Sequence, residues 1–306
     1  MGVFLYSKDY INFKKKELSI KIDSLKQKQG RAPSLTVILA GDNRASLSYV
    51  RIKDKLAKEI GMKSNIVKFD KDINEKELLI KIDEINNDDA IDGVIVQLPL
   101  PEHISVNKII DSISPDKDVD GFHPINLGKL FRGEDALYPC TPLGIINFLK
   151  YNNFSLEGKT GVIIGRSNIV GKPLFFLLLK ENMTLTIAHS KTKNLKDICK
   201  NADFIFAAVG KPLMIEQDYV KKGAIVIDVG VNAINDEKLI NEVFSDYPKK
   251  IERFKKRGYV LTGDVNPNVV KTAKYLTPVP GGVGPLTVIT LLENTVKTFE
   301  QKHEIS

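Results

Sequence analysis

From Leu35 onward, short β-branched runs alternate with amphipathic stretches of helical length, and no other feature constrains the chain as strongly. Strands that alternate with helices build parallel sheets, so the pattern predicts an α/β protein. LTVILA (35–40), NIVKF (65–69) and DGVIVQ (92–97) read as strands of a first sheet. Their near-continuous apolar character predicts cover on both faces. Helical periodicity lies between them, at about 45–60 and 74–86, after an opening helix near 8–28. A turn-rich stretch (115–130) leads to CTPLGIINFLKYNN (140–153), where Pro142 suits the first turn of a helix. A second alternation follows: TGVII (160–164), LTIA (185–188), DFIFAAV (203–209), AIVIDV (224–229), a short strand near Tyr275 and an apolar helix over 285–300. The segment 233–259 is highly charged and only intermittently apolar, which predicts an exposed insertion.

With 306 residues the chain can bury two cores. No apolar run approaches the roughly 20 residues that span a bilayer, and the N-terminal MGVFLYSKDY lacks the apolar length of a secretory signal. Cys140 and Cys199 stand far apart and outside metal-ligand spacing, so neither a disulfide framework nor a metal site is expected, and a reducing compartment is. The net charge of +7 is spread along the chain rather than gathered beside aromatics, which argues against nucleic acid as a partner. A mild positive field favours anionic small molecules.

The stretch GVIIGRSNIVGKPLFFLLLK places a buried strand, a glycine turn (Gly165, Arg166, Ser167, Gly171) and an apolar helix in succession. Such a turn lets backbone N–H groups approach a pyrophosphate at the helix N-terminus. The spacing is not the dinucleotide fingerprint G-x-G-x-x-G, and Pro173 excludes a Walker A loop; glycines placed only for tight strand-to-helix packing are the competing reading. The next strand ends in His189-Ser190-Lys191, without the acid that commonly binds the ribose 2′-hydroxyl of NAD. A hydroxyl and cations there, with Arg166 in reach, suit the 2′-phosphate of NADP. Val209-Gly210-Lys211-Pro212 and Asp228-Val229-Gly230-Val231 set glycines at two further strand ends, where a nicotinamide ribose would lie.

In ASLSYVRIKDKLAKEIGM (45–62), Tyr49, Val50, Ile52, Leu56, Ala57 and Ile60 are read as one apolar arc, with Lys53 inside it and i+4 from Tyr49. Such a lysine either snorkels to solvent or is desolvated and suited to proton transfer. Gln97 closes the strand DGVIVQ, at the carboxyl end where open α/β sheets bind ligands. In PDKDVDG (115–121) the acids do not fit a calcium loop; a plain turn and a carboxylate pair for a guanidine-like heterocycle both remain open. PVPGGVGP (278–285) is poor in side chains and lets a ligand approach backbone.

Together with YVRIKDK (49–55), DGVIVQLPLP (92–101), PDKDVDGFHPIN (115–126), PCTPLGI (139–145), GRSNIVGKP (165–173), GAIVIDVGVN (223–232) and TPVPGGVGPLT (277–287), these segments resemble the methylenetetrahydrofolate dehydrogenase/cyclohydrolase family. The resemblance runs in the family's order over almost the whole chain. It implies a folate-binding catalytic domain (1–141 and 285–306) and a Rossmann-like NADP-binding domain (142–284), with the active-site cleft between two parallel-sheet domains. It also implies a cytoplasmic homodimer in one-carbon metabolism that acts on tetrahydrofolate derivatives.

Carried onto matching positions, Lys53 would transfer protons in the cyclohydrolase step with Gln97 orienting it. Tyr49 would stack on the folate rings. Asp120 would hold the amino-pyrimidinone edge, with Asp118 supporting its loop. Val96, Leu98, Pro280, Gly281, Gly282, Val283 and Gly284 would line the substrate. Gly165, Arg166, Ser167, Gly171, Ser190 and Val231 would contact NADP. The segment between Val231 and Gly263 is longer than the resemblance leads one to expect and basic in its second half. The implied activity is oxidation of 5,10-methylenetetrahydrofolate with NADP+ and hydrolysis of the product; a dehydrogenase alone, or a non-catalytic nucleotide sensor, are the alternatives.

Overall fold

The computed structural model describes residues 2–305 and divides into two compact units. One comprises residues 10–143 and 287–306, the other 1–9 and 144–286.

The first unit is built on a three-stranded parallel sheet. Its strands β2 (Ser34–Ala40), β3 (Lys63–Phe69) and β4 (Gly93–Val96) run in the order β3-β2-β4. Every residue of β2 and β4 is buried, as their near-continuous apolar runs predict, whereas no residue of β3, at the sheet edge, is fully buried. Helices α1 (Lys8–Gln29), α2 (Arg44–Glu59), α3 (Glu75–Asn86), α4 (Val106–Ser112), α5 (Pro124–Phe131), α6 (Cys140–Tyr151) and α11 (Val283–Lys302) complete it or lead into it. Asn43 caps α2, its side chain accepting from the backbone of Ala45 and Ser46.

The face α2 buries differs from the arc read in the sequence. Ser46, Val50, Lys53, Ala57 and Ile60 are buried, spaced by four and three residues. Ile52 is 51% exposed, because it stands roughly 200° round the helix from Val50 at about 100° per residue. Lys53 therefore lies on the buried stripe itself, and Ile52 does not.

The second unit carries a six-stranded, all-parallel sheet in the order β1-β11-β8-β7-β5-β6. The strands are β1 (Val3–Phe4), β5 (Thr160–Ile164), β6 (Thr184–Ala188), β7 (Phe204–Ala207), β8 (Ile225–Asp228) and β11 (Tyr275–Leu276). Helices α7 (Gly171–Lys180) and α8 (Leu195–Lys200) join the first of them. From β5 the chain goes to β6 on one side and then crosses to β7 on the other. The carboxyl ends of β5 and β7 thus flank a topological switch point, the ligand crevice of Rossmann-like sheets.

Two expectations are corrected. The N-terminal residues group with this unit rather than with the first, because Val3 and Phe4 pair with Tyr275 and Leu276. The segment 233–259 is folded rather than a solvated insertion. It forms β9 (Asn232–Ile234), α9 (Glu237–Phe244), α10 (Pro248–Arg257) and β10 (Val260–Thr262), with β9 and β10 antiparallel. Ile234, Ile240, Val243, Phe244 and Val260 bury against Leu213, and Ile251 and Phe254 pack on them. Its apolar residues are few but fall on one face of each short helix, which suffices for a small core.

Candidate active site

In the first unit, Lys53 is only 7% exposed and its Nζ donates to Gln97 Oε1 at 3.1 Å. Gln97 is fixed in turn: its backbone N–H continues the β4 ladder to the Ile38 carbonyl at 2.9 Å, and its Nε2 donates to the Leu98 carbonyl at 2.7 Å. The amide oxygen therefore faces Lys53. Tyr49, one turn earlier on α2, is half open to solvent, and burial raises its phenol above the usual range. Val96 is buried at the end of β4, and Leu98 is partly exposed beyond it.

The loop 117–121 runs beside β4, where the Val94 N–H donates to the Lys117 carbonyl at 2.9 Å. A Cβ on Gly93 would press on Val119 at 2.6 Å, so glycine lets loop and strand approach. The Asp118 carboxylate faces inward and accepts from the His123 N–H at 2.8 Å and Asn126 Nδ2 at 2.9 Å. Burial pushes its carboxyl up to about 6, against these hydrogen bonds. Asp118 thus holds the loop together and turns no oxygen outward. Asp120 is different: among the described residues its carboxylate accepts no hydrogen bond. Burial raises it, and the nearby Lys53 charge pulls it partly back. Gly121, at φ +75°, turns the chain where any Cβ would overlap Tyr138 backbone.

Two anchors of this loop escaped the sequence reading. Cys140 Sγ donates to the Val119 carbonyl at 3.1 Å, and Asn294 Nδ2 donates to the Val119 and Tyr138 carbonyls at 2.8 and 3.1 Å. Burial and then the Asp120 charge push the Cys140 thiol well up, which keeps it a neutral donor. An asparagine within the apolar run of α11 was the available signal.

In the second unit the glycine turn sits at the switch point. Gly165 has φ +126°, and a Cβ there would overlap the Ala208 carbonyl. A Cβ on Gly171 would overlap the Gly165 carbonyl. Both glycines are thus required by the backbone packing, and the turn they form runs into the N-terminus of α7, where such a turn can cradle a phosphate. Ser167 Oγ accepts from the Val170 and Gly171 N–H groups at 3.2 and 3.4 Å, and Arg166 is exposed beside it. Ser190 is exposed just beyond β6, and no carboxylate stands at that strand end. His189 is tied into the turn, its Nδ1 accepting from the Lys191 N–H at 3.2 Å. Backbone cradle, exposed cation and hydroxyl together fit a dinucleotide with a 2′-phosphate.

Two buried acids, unforeseen as supports, brace the other strand ends. The Asp228 carboxylate accepts from the N–H groups of Gly230, Asp264 and Val265 at 3.2, 2.9 and 3.0 Å, while burial pushes it up to about 8. Asp264 accepts from the Val209 and Gly210 N–H groups at 2.7 and 3.0 Å and from Asn232 Nδ2 at 2.9 Å. Val231, between these braced loops, is exposed. The turn Pro280–Gly284 belongs to this unit up to the start of α11, and Ser7 donates to the Gly281 carbonyl from both its N–H and its Oγ, at 3.0 and 3.1 Å. Among the described residues no group of acids, histidines and cysteines forms a metal site, and no helix is long and apolar enough to cross a membrane.

Comparison with known proteins agrees along the chain. Residues 5–120 match the family model of the tetrahydrofolate dehydrogenase/cyclohydrolase catalytic domain, and 139–303 that of its NAD(P)-binding domain. The chain is 47% identical over 306 residues to the bifunctional protein FolD of Oceanobacillus iheyensis, covering 100% of this chain and 99% of that one. The crystal structure of the bifunctional FolD enzyme from Campylobacter jejuni matches with a TM-score of 0.88 at 42% identity, over 99% of this chain and all of that one. A Trypanosoma brucei methylenetetrahydrofolate dehydrogenase-cyclohydrolase, solved with NADP and an inhibitor, matches with a TM-score of 0.88 at 33% identity, over 99% of this chain and 98% of that one. The chain belongs to the tetrahydrofolate dehydrogenase/cyclohydrolase family.

Proposed function

We propose that Lys53 and its neighbours form the proton-transfer centre of a cyclohydrolase, and that the Gly165 cradle holds NADP for the oxidation that precedes it. The enzyme oxidises 5,10-methylenetetrahydrofolate to the 5,10-methenyl cation and hydrolyses this to 10-formyltetrahydrofolate. The observation that carries the reading is a lysine on the buried stripe of α2, held by a neutral amide rather than a carboxylate.

NADP+ supplies the hydride acceptor when bound. Gly165, Ser167 and Gly171 present backbone and hydroxyl to its phosphates. Arg166 and Ser190 take the 2′-phosphate, and Val231 lies against the nicotinamide side. The oxidation needs placement of two rings and no strong base.

Hydrolysis needs more. Water adds to the methenyl carbon and loses a proton, and ring opening puts a proton on the departing nitrogen. Lys53 moves these protons, and Gln97 aims its Nζ. Asp120, whose carboxylate accepts nothing from the described residues, takes the paired N–H donors of the amino-pyrimidinone edge. Tyr49 stacks on the ring system, Asp118 holds the loop, and Val96 and Leu98 line the substrate; in the second unit the 280–284 turn offers backbone to it. The reading extends to a cytoplasmic homodimer, checked by solution mass.

A coupled assay with NADP+ and with NAD+, following methenyl formation and decay separately, tests the whole. Formation faster with NADP+, followed by enzyme-dependent decay, is expected. Methenyl product that decays no faster than without enzyme would leave a dehydrogenase alone. NADP binding with no methenyl product would leave a nucleotide sensor.

A further inference from the structure

The segment 233–259 supplies no residue to the proposed site, yet one of its side chains reaches a turn placed there. Lys250, on α10, is largely buried. Its Nζ donates to the Leu261 carbonyl at 2.8 Å and to the Val279 carbonyl at 2.8 Å. The ammonium also lies 4.4 Å from the centre of the Phe244 ring, a cation–π contact from α9. Burial brings its pKa down to about 8, with the Arg253 charge adding to this and Asp228 opposing it. A buried ammonium is retained only where its donors are used, and here two carbonyls and one ring use them.

We propose that Lys250 is a positioning residue for the folate: it fixes the 278–281 turn against β10, so that Pro280, Gly281 and Gly282 meet the substrate in one conformation. The proposal rests on the reading of that turn as folate-binding. Gly281 is held by Ser7 through its carbonyl. Two residues earlier, Lys250 holds the Val279 carbonyl. Between the two clamps lies Pro280. Gly281 stands at φ +107°, with the Tyr6 ring 3.3 Å from where a Cβ would sit, so the turn cannot be stiffened by larger residues of its own. Its rigidity is imported from side chains on β10's neighbour α10 and from the strand end after β1. Open space beside the turn makes that import necessary: a cavity of about 550 Å³, lined in part by Tyr6, Tyr247, Lys249 and Arg253, leaves it without packed cover on that side.

The chemistry of the clamp explains why a lysine serves. The Leu261 bond seats the ammonium on β10, whose pairing with β9 is already fixed. A second donor then reaches the turn as a charge-assisted bond, about twice as strong as a neutral one. A turn that has lost this bond samples several conformations, and substrate must select one, which weakens binding by the fraction competent. The chemical step, governed by Lys53, is untouched once substrate is bound.

Lys250→Met, of similar length without donors, tests this in the full-length enzyme. KM for methylenetetrahydrofolate should rise about tenfold, with kcat within about twofold and NADP affinity within about twofold. Lys250→Arg, which keeps charge and donors, should restore KM to within about threefold. A lower melting temperature with unchanged KM would overturn the proposal, because a merely structural clamp changes the amount of active enzyme and not its KM. Should the Met variant be insoluble, Lys250→Gln keeps amide donors on a shorter, uncharged side chain and should raise KM severalfold; an unchanged KM there is equally fatal. Gly281→Ala separates the proposal from the reading beneath it. If Gly281→Ala leaves KM unchanged, the turn does not serve the folate and the reading fails. If it raises KM while Lys250→Met does not, the clamp alone fails.

Discussion

At the carboxyl ends of β2 and β4 the proposed chemistry rests on side chains: Lys53 against Gln97, with Tyr49 and Asp120 beside them. At the carboxyl ends of β5, β7 and β8 it is carried by backbone, where glycines clear the space and two buried acids hold N–H groups in place. The two tasks explain the contrast. Proton transfer needs a titratable group at one point, and a buried side chain on a rigid helix supplies it. A dinucleotide needs close approach over a long contact, which side chains would obstruct. Removing a side chain should therefore disable the first site and spare its fold, whereas adding one methyl group should damage the second in both respects.

Lys53→Met probes the first half of this contrast and carries the largest expected effect. Methenyl hydrolysis should fall by about 10³-fold, within the usual worth of a positioned acid or base, while methenyl formation falls less than about tenfold. The melting temperature should hold, since Met fills the same buried stripe. Equal loss of both activities in a folded protein would break the division of labour. Gly165→Ala is the counterpart. Its Cβ would overlap the Ala208 carbonyl at a φ that disfavours alanine, so a loss of roughly 3 kcal/mol in stability is expected. NADP affinity should fall with it, as read by thermal melts with and without NADP. An unchanged melt would show that β5 and β7 can part freely and would remove the argument for a backbone-built site.

The same contrast decides what could be read from sequence. The near-continuous apolar runs of β2, β4 and β7 announce buried strands, and the lysine among apolar neighbours on α2 announces itself as a misfit. Gly165 and the missing acid after β6 point to the dinucleotide. The bracing by Asp228 and Asp264 was not legible, because backbone N–H groups have no sequence signature. β1 escaped because two residues, Val3 and Phe4, cannot display a period. The fold of 233–259 was hidden by composition: on α10 the charged face outnumbers Ile251 and Phe254, yet those two suffice to seat it. Ile52 shows that hydrophobicity alone does not assign a face, because its angle on the helix puts it in solvent.

Asp118 offers a test of intermediate size, in the side-chain-built half. Its carboxyl is raised from 3.8 to about 6 in the fold, so the native state binds its proton more tightly than the unfolded chain does. From about pH 4 to 6 this residue therefore lowers stability as pH rises, and below that window its contribution is level. Asp118→Asn lacks the titration. Measured by urea unfolding across that range, the variant should gain on the wild type by about 2 kcal/mol, at roughly 1.4 kcal/mol per pKa unit. Parallel curves would mean that the hydrogen bonds from His123 and Asn126 keep the carboxylate ionised throughout and that burial is the weaker influence.

Ser190→Asp carries the smallest effect and bears on the one place where the backbone-built site is proposed to depend on side chains. At the end of β6 the residues are His189, Ser190 and Lys191, with Arg166 exposed after β5. A carboxylate placed there repels a 2′-phosphate but accepts from a 2′-hydroxyl. kcat/KM with NADP+ should fall about tenfold, equivalent to about 1.4 kcal/mol, while the value with NAD+ stays level or rises. Because the glycine cradle serves both dinucleotides alike, the change should appear in the ratio and leave kcat with NAD+ untouched. Loss with both cofactors would place Ser190 in the cradle itself, and the division between a backbone that binds and side chains that discriminate would have to be redrawn.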